Sequence, residues 1–401
     1  MKEGWTYKKL GEVCNVLNGL WIGKKEPFVN VAVIRNTNFS KDCKLKLDDV
    51  AYIDVEERQF ATRKLQVGDI IIEKSGGSDK QPVGRPVLFN IPDGDYSFSN
   101  FTSTLRLTDK SIFPPFLHYC LYGYYRNGET KKMQSKTTGL RNLDMKAYLR
   151  LAIPYFEIGE QERIVAELDL LQGIIEKKKE QLKAYDQLAQ SIFYTMFGDP
   201  IDNPKGWETK CFCEIVHSTQ LGLIRSAKMQ SIDNKYLYFK MNNITSSGQM
   251  DLSNITRIDA NSEEIEKYQL HKGDFLFNTR NSYELVGKSC VFNGKEKDIV
   301  LFNNNLLRII FKNNTNSVFI SYLFNDEYVK KQLNGIKKGT TSVWAVYYKD
   351  LAHIKVLVPP LSLQQEFAEK VEAIERQKAL VQQSIEETQT MFDYTMDKYF
   401  G

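Results

Sequence analysis

Two segments of this chain carry the same heptad pattern of apolar residues, and the two patterns lie 203 residues apart. In each segment the seam positions alternate steps of four and three residues. The predicted seams consist of Ile164, Leu168, Leu171, Ile175, Lys178 and Leu182 in the first segment and of Phe367, Val371, Ile374, Lys378, Val381 and Ile385 in the second. A heptad sustained over several repeats predicts a long helix that packs along its length on another helix. Each helix, at about 36 residues, would be roughly 55 Å long.

Each predicted seam contains one lysine, and Lys178 and Lys378 do not occupy equivalent positions in the repeat. A cation in a helix–helix interface costs stability. Two interpretations are open: the lysine fixes the register or direction of the helices, or its ammonium group extends out of the seam into solvent.

A similar offset, between 202 and 205 residues, relates short motifs outside the helices. The matched motifs are Gly4-Trp5 with Gly206-Trp207, Gly68-Asp69 with Gly273-Asp274, Val83-Gly84 with Val286-Gly287, Thr137-Thr138 with Thr340-Thr341, and Gln161-Glu162 with Gln365-Glu366. Many matches in one order predict a single structural unit repeated twice. We therefore expect globular domains at residues 1–156 and 201–361 and helices at residues 157–200 and 362–401.

Each domain shows short apolar runs separated by Gly, Asn, Asp and Ser, which favours an α+β fold with a bent mixed sheet. We expect strands at residues 10–13 and 213–216, a helix at residues 116–125, and its counterpart near residues 318–333. Two equal units joined by one helix predict a pseudo-two-fold arrangement, in which an antiparallel coiled coil separates the two domains.

Several classes of protein are disfavoured by composition. No segment reaches the roughly 18 consecutive apolar residues of a membrane span. The six cysteines are scattered without a C-x-x-C pair, and four histidines are too few for the usual zinc spacings. We expect a cytoplasmic protein with inert thiols and no metal site.

Charge is divided unevenly along the chain. Residues 157–197 and 362–400 contain 9 basic and 16 acidic residues, whereas the rest of the chain contains 45 basic and 34 acidic residues. The basic domains point to a polyanionic partner, because Lys and Arg hold phosphates while Arg, Asn and Gln can read base edges. The candidate DNA contacts, mostly in loops, are Lys24, Lys25, Asn36, Lys74, Ser75, Lys80, Arg85, Lys136, Thr138, Arg141, Arg225, Lys228, Asn243, Thr279, Arg280, Asn281, Lys288, Lys337, Lys338 and Thr340. For any single residue an ordinary solvated loop is the alternative.

No catalytic motif is present in the sequence. Val286-Gly287-Lys288-Ser289 resembles the end of a phosphate-binding loop, but Ser282 stands where the first glycine belongs. Asp69 and Asp274 follow glycines and are interpreted as turn residues that lead into strands. No tetrapeptide of an adenine methyltransferase and no nucleophile elbow occurs.

The two heptad helices, the Leu-x-x-Gly-Asp strands and the junction from Phe197-Gly198-Asp199-Pro200 to Trp207 resemble the specificity subunits of type I restriction–modification systems over essentially the whole chain. The resemblance implies a non-catalytic subunit with two target-recognition domains, each reading one half of a split DNA site. It also implies partners: two methyltransferase subunits and restriction (translocase–nuclease) subunits, which would carry S-adenosylmethionine, ATP and magnesium.

The helices would then set the spacing between the half-sites, and a heptad inserted into the first helix is expected to change that spacing alone. Two other functions stay open at this point: a DNA-modifying enzyme with an unrecognised active site, and a coiled-coil scaffold that binds only proteins. Neither the recognised bases nor the spacer length follows from the sequence.

Overall fold

The computed structural model describes residues 5–21, 23–78, 81–137, 140–294, 298–339 and 342–401. It divides into two compact units, each made from a domain and part of both long helices. Unit 1 consists of Met1–Lys179 and Gln383–Gly401, and unit 2 consists of Glu180–Gln382.

Unit 1 contains twelve described strands and the start of a long helix. The strands are β1 (Thr6–Lys9), β2 (Cys14–Asn18), β3 (Phe28–Ile34), β4 (Ala51–Glu56), β5 (Ile70–Glu73), β6 (Ser75–Gly77), β7 (Pro86–Leu88), β8 (Tyr96–Phe98), β9 (Thr102–Leu107), β10 (Gln134–Thr137), β11 (Leu140–Leu143) and β12 (Ala152–Tyr155). The helices are α1 (Leu10–Val13), α2 (Glu57–Arg63), α3 (Pro114–Arg126), α4 (Met145–Tyr148) and α5 (Ile158–Phe197), with 3₁₀ turns at Asn36–Asn38 and Glu129–Met133.

Unit 2 repeats this series of strands. They are β13 (Thr209–Cys211), β14 (Val216–Leu221), β15 (Tyr236–Phe239), β16 (Thr256–Ile258), β17 (Phe275–Asn278), β18 (Arg280–Asn281), β19 (Ser289–Val291), β20 (Val300–Phe302), β21 (Leu306–Phe311), β22 (Lys338–Gly339), β23 (Trp344–Ala345) and β24 (Lys355–Leu357). The helices are α6 (Phe212–Ile215), α7 (Ser262–Tyr268), α8 (Ser317–Asn325), α9 (Glu327–Ile336), α10 (Tyr348–Leu351) and α11 (Leu361–Phe400), with 3₁₀ turns at Ala227–Met229 and Met241–Asn243.

The internal repeat is confirmed at the level of the sheets. Unit 1 has a four-stranded sheet of order β2-β9-β5-β7, and unit 2 has its counterpart in the order β14-β21-β17-β19. Mixed sheets follow as β4-β3-β8 and β16-β15-β20, in which β8 and β20 run parallel to their neighbours. The small sheets β10-β11-β6 and β18-β23-β22 complete the correspondence, together with the pairs β1-β12 and β13-β24.

The core lies on both faces of the central strands. In β5, Ile70 and Ile72 face one apolar cluster that includes residues of α3, and Ile71 faces a second cluster under the mixed sheet. In β17, Phe275 and Phe277 face one cluster and Leu276 faces the other. Burying each such side chain contributes about 1.5–3 kcal/mol.

Two local predictions were wrong. Residues 10–13 and 213–216 were expected as strands, but α1 and α6 form single helical turns there. The reason is a capping contact: Glu12 Oε2 accepts from the Lys9 amide at 3.1 Å, and Glu214 Oε1 accepts from the Cys211 amide at 2.7 Å.

The helix expected near residues 318–333 is two helices, α8 and α9. Asp326 separates them, because its Oδ1 accepts from the Tyr328 amide at 2.8 Å and so starts a new helix. The expected helix at residues 116–125 lies within α3. Asp69 and Asp274 occupy the predicted turns, where their Oδ2 atoms accept from the amides of Gln66 and His271 at 2.8 and 3.0 Å.

The two long helices α5 and α11 pack together in antiparallel fashion within each unit. In unit 1, Arg163 donates to the Tyr399 hydroxyl at 2.9 Å, and Lys178 donates to Ser384. In unit 2, the rings of Phe197 and Phe367 lie 5.4 Å apart. All twelve predicted seam residues are buried or half-buried, and Phe193 and Phe197, which were not among them, are also buried.

Neither seam lysine extends into solvent. Lys178 Nζ donates to the Ser384 hydroxyl, and lies 3.3 Å from the Ser384 carbonyl oxygen and 3.4 Å from Thr388 Oγ1. Lys378 Nζ lies 2.7 Å from Asp186 Oδ1 and 2.8 Å from Glu375 Oε1. Each lysine therefore contacts the opposite helix. Among the described residues no helix is long and apolar enough to cross a membrane.

Candidate nucleic-acid interface

The small third sheet of each unit brings together loops that are distant in sequence. In unit 1, β6 and β11 place Ser75 opposite Asn142 and Gly77 opposite Arg141. Ser75 Oγ donates to Asn142 Oδ1 at 2.5 Å. The described parts of the predicted contact loops, residues 74–78 and 140–142, therefore form one surface.

Unit 2 builds the same surface from β18, β22 and β23. Arg280 and Lys338 both lie opposite Ala345, one on each side of the central strand. Asn281 Nδ2 donates to Asn278 Oδ1 at 2.9 Å, which orients that amide. Lys338 is paired with Asp350 at 2.8 Å; the lysine side chain is exposed and the aspartate is half-buried.

The predicted contacts differ in their exposure. The exposed ones are Lys24, Lys25, Lys228, Arg280 and Lys338. The half-buried ones are Asn36, Lys74, Ser75, Arg141, Arg225, Asn281, Lys288 and Lys337. Lys80, Thr138, Thr340 and the side chain of Lys136 lie outside the described residues.

Three predicted contacts are buried, and their prediction as surface contacts is corrected. Arg85 is 4% exposed; its Nε donates to Glu73 Oε2 at 2.7 Å and its Nη1 to the Phe39 carbonyl at 3.0 Å. Thr279 is 9% exposed and donates to the Asn305 carbonyl. These groups are occupied within the protein and are not available to DNA in this conformation.

The third buried contact, Asn243, stabilises a 3₁₀ turn. Its Oδ1 accepts from the Lys240 amide and its Nδ2 donates to the Asp251 carbonyl, both at 2.9 Å. Asn38 makes the same two contacts in unit 1, with the Arg35 amide and the Asp49 carbonyl. The counterpart of Asn243 is thus Asn38, not Asn36.

Lys288 and Arg225 are also held by the fold. Lys288 is the unit 2 counterpart of Arg85, and its Nζ donates to the carbonyls of Met241 and Ile244 in the 3₁₀ turn. Burial lowers the pKa of the Lys288 ammonium. Arg225 is ion-paired with Glu264 at 2.7 Å. Burial likewise lowers the pKa of Lys74.

A pocket of about 380 Å³ beside Asn36 was missed by the sequence analysis. It lies in unit 1 between the end of β3, strand β4, the 3₁₀ turn and the turn before β9. Two exposed aromatic residues line it, Trp21 at 63% and Phe101 at 45% exposure. An unusual tryptophan in a glycine-flanked loop was the only signal in the sequence. Among the described residues no group of His, Cys, Asp and Glu could hold a metal ion.

Comparison with known proteins gives a consistent result. The family model described as type I restriction modification DNA specificity domain matches residues 2–184 and 204–389. The specificity subunit of the type I restriction enzyme EcoKI from Escherichia coli K12 is 24% identical over 398 residues, covering 93% of this chain and 82% of that protein. The MjaVIII specificity subunit from Methanocaldococcus jannaschii is 26% identical over 280 residues, or 64% of this chain and 63% of that protein.

Solved structures show the same fold. The S subunit of a type I restriction–modification system from M. genitalium superposes with a TM-score of 0.57 at 13% identity, over 100% of this chain and 98% of that one. A chain from a study of complex assembly and conformational transition of the type I system gives a TM-score of 0.55 at 19% identity, with the same coverage. With two matches to one domain model, in register with two structurally repeated units, the chain belongs to the type I restriction modification DNA specificity family.

Proposed function

We propose that this chain reads a bipartite DNA site, with each unit contacting one half. The observation that supports the proposal is the repeated third sheet, which carries basic and amide side chains in both units. They are Arg141 and Asn142 on β11 in unit 1, and Arg280 and Asn281 on β18 with Lys338 on β22 in unit 2. Arg280 and Lys338 supply cations in unit 2, and Ser75, Arg141 and Asn142 supply the corresponding surface of unit 1. Phosphate contacts position such a surface, and Arg and Asn can add base contacts in the major groove.

The paired helices are proposed to hold the two readers at a fixed spacing and to bind two methyltransferase subunits. Two identical subunits require two equivalent binding sites, one in each repeat. Leu188 on α5 and Met391 on α11 are related by the 203-residue offset, and they are 46% and 59% exposed. S-adenosylmethionine, ATP and magnesium would then be bound by the methyltransferase and restriction subunits.

The decisive experiment is to co-express the chain with its methyltransferase subunits and to map methylated adenines on plasmid DNA. The expected result is a recognition sequence in two parts with a gap of fixed length. A contiguous recognition sequence, or methylation that ignores sequence, would contradict the proposal.

Arg280 provides the sharpest test of the surface itself. Arg280→Gln in the assembled complex should weaken DNA binding and reduce the salt slope by about 1, as expected for one phosphate contact, or relax one base of the second half-site if the contact is to a base. Lys331→Gln removes another exposed cation, from α9 in the same unit, and should leave both quantities unchanged. Equal effects of the two changes would exclude a specific role for Arg280.

Assembly is tested on the helices. Leu188→Glu and Met391→Glu should each release one methyltransferase subunit, measured as a loss of mass on size-exclusion chromatography with light scattering. Leu170→Glu is the matched control, because Leu170 is 65% exposed on α5 but its repeat counterpart is the small residue Ala373, so the two repeats share no large apolar contact there. Full assembly of both test variants would contradict this docking site.

A further inference from the structure

The wall of the unit 1 pocket is mainly apolar, and Arg35, Asn36 and Ser99 are among its polar lining residues. Its apolar wall consists of Leu20, Trp21, Val33, Ile53, Val55 and Phe101. Its volume of about 380 Å³ lies in the range of sites that take small organic ligands, about 300–1,000 Å³.

Three buried polar atoms of the residues that line this pocket have no hydrogen-bond partner among the described residues. They are Arg35 Nε, Asn36 Oδ1 and Ser99 Oγ. Together they offer one donor, one acceptor and one hydroxyl that can act as either. Buried polar atoms in native structures are nearly always satisfied. Three of the eight such atoms among the described residues belong to residues of this one pocket, which supports a ligand with its own donors and acceptors.

Unit 2 has the corresponding space filled by a side chain. Val33 lies opposite Ser97 in the parallel pair β3–β8, and Tyr238 holds the corresponding position in β15–β20. Tyr238 is fully buried, its hydroxyl donates to the Leu223 carbonyl at 2.6 Å, and Asn303 donates to that hydroxyl at 2.8 Å. Leu223 and Asn303 are the counterparts of Leu20 and Ser99. Of the three unsatisfied groups in unit 1, Ser99 thus has a counterpart, Asn303, that is satisfied within unit 2.

The pocket is continuous with the proposed DNA surface of unit 1. Asn36 Nδ2 donates to the Ser75 carbonyl at 2.6 Å, and the amides of Lys74 and Ser75 both donate to the Phe101 carbonyl. A ligand in the pocket would therefore lie against the strand that carries the predicted contact residues.

We propose that this pocket receives one unstacked nucleobase of the half-site read by unit 1. The inference deepens the proposed function and rests on it. A nucleobase is flat and apolar on its faces, which suits stacking on Trp21 and Phe101, and its edge carries the donors and acceptors that Arg35, Asn36 and Ser99 lack. Because Tyr238 closes the equivalent space, the other half-site has no such base.

The test uses the full chain assembled with its methyltransferase subunits and duplexes containing the mapped site. 2-Aminopurine, whose fluorescence reports loss of base stacking, is placed at each position of both half-sites in turn. We expect one position, in one half-site only, to change its emission on binding. Val33→Tyr, which closes the pocket as Tyr238 does in unit 2, should restore duplex-like emission at that position.

A second variant tests the same pocket in case Val33→Tyr fails to fold. Trp21→Ala changes an exposed residue and should weaken binding about tenfold, the size of one lost base–aromatic contact. Ile224→Ala is the matched control, because Ile224 is the 72% exposed counterpart of Trp21 in unit 2, and it should leave affinity unchanged.

The outcomes separate this inference from the proposed function. If the complex binds its site but no position responds, or the response persists in Val33→Tyr, the pocket is not a base receptor. If Trp21→Ala weakens subunit assembly with a flat fluorescence scan, the occupant is a protein side chain and the inference is overturned. Absence of any sequence-dependent binding would overturn the proposed function itself.

Discussion

A buried glutamine joins each domain to the long helix that follows it. Gln161 accepts from the Phe113 amide at 2.8 Å and donates to the carbonyls of Ser111 and Phe156 at 2.7 Å. Gln364 repeats the pattern with the Asn316 amide and the Pro359 carbonyl. Both glutamines have no exposed surface. Each one thus fixes the first turn of a helix to the loop in front of a domain helix.

Replacing either glutamine with alanine should destabilise the protein. Gln161→Ala leaves one backbone amide and two carbonyls without partners, which is expected to cost about 1–3 kcal/mol. The cost is measured as a fall in the urea unfolding midpoint. Gln365→Ala is the control, since Gln365 is exposed and its loss should change stability by less than about 0.5 kcal/mol. If Gln364→Ala and Gln365→Ala lowered the urea unfolding midpoint equally, this role of the buried glutamines would be ruled out.

The His118 imidazole should make stability depend on pH. Burial lowers the pKa of His118, despite its contact at 3.0 Å with the Cys43 carbonyl. In the unfolded chain the imidazole titrates near 6.5, so as pH falls below about 6.5 the unfolded state binds the proton first and stability decreases. His118→Gln should flatten this loss between about pH 6.5 and 5, as read from thermal midpoints. His353→Gln, at an exposed site, should leave this loss of stability unchanged.

At the scale of elements, the lysine in each seam ties one long helix to the other. Lys378 is 13% exposed in its side chain and pairs with Asp186, which is 48% exposed. Burial alone would lower the pKa of Lys378, but the contacts with Asp186 and Glu375 raise it above its ordinary value. Because Lys178 and Lys378 contact different partners on the opposite helices, a shift of register would break both contacts. We infer that the lysines specify register.

A double-mutant cycle tests the Lys378–Asp186 pair. With Lys378→Met and Asp186→Asn, the coupling energy from urea unfolding should be about 1 kcal/mol, because the pair is only partly desolvated. Lys370 and Glu366 form an exposed pair one turn apart on α11 and should couple by about 0.3–0.5 kcal/mol. A coupling no larger than in this control would show that the seam pair does not specify register.

The heptad pattern made the helices predictable, because a periodic signal over 40 residues outweighs local ambiguity. The motif match between Gln161 and Gln365 was one residue off, however. The neighbouring Gln364 and Gln365 look alike in sequence, and only burial distinguishes them; the 203-residue offset of the seam selects Gln364. Short elements were harder to predict. Glu12 and Glu214 each cap a helical turn at a position where the apolar pattern indicated a strand.

At the scale of the whole molecule, the helices can be lengthened only together. Residues pair one by one along α5 and α11. A heptad inserted into α5 alone, which we expected from the sequence to change only the half-site spacing, would therefore misalign the seam on one side of the insertion. Seven residues inserted after both Lys179 and Gln382 keep every pair and lengthen each helix by about 10 Å. Under the proposed function the gap between half-sites grows by about 3 base pairs, with both half-site sequences unchanged. Methylation mapping gives the result, and an altered half-site would contradict it.

The interface as a whole was less predictable than the fold. The third sheet of each unit brings residues of the predicted loops together, but the sequence could not distinguish exposed Arg280 from buried Arg85, because the difference depends on Glu73 and on a 3₁₀ turn. The pocket depends on Val33 facing a space that Tyr238 fills in the other repeat. Whether a side chain fills such a space depends on strands that are distant in sequence, so no pattern of neighbouring residues predicts the pocket.

The boundary between the two units runs through both long helices, and this has a consequence for synthesis on the ribosome. Unit 2 is one continuous stretch of chain, whereas unit 1 needs residues 383–401 to complete its packing against α5. Although unit 1 begins first, unit 2 is therefore the first for which all residues have been translated. The apolar seam of residues 164–178 therefore stays exposed until the C-terminal part of α11 has been synthesised. The early half of the chain is thus the half most exposed to aggregation and to chaperones during translation.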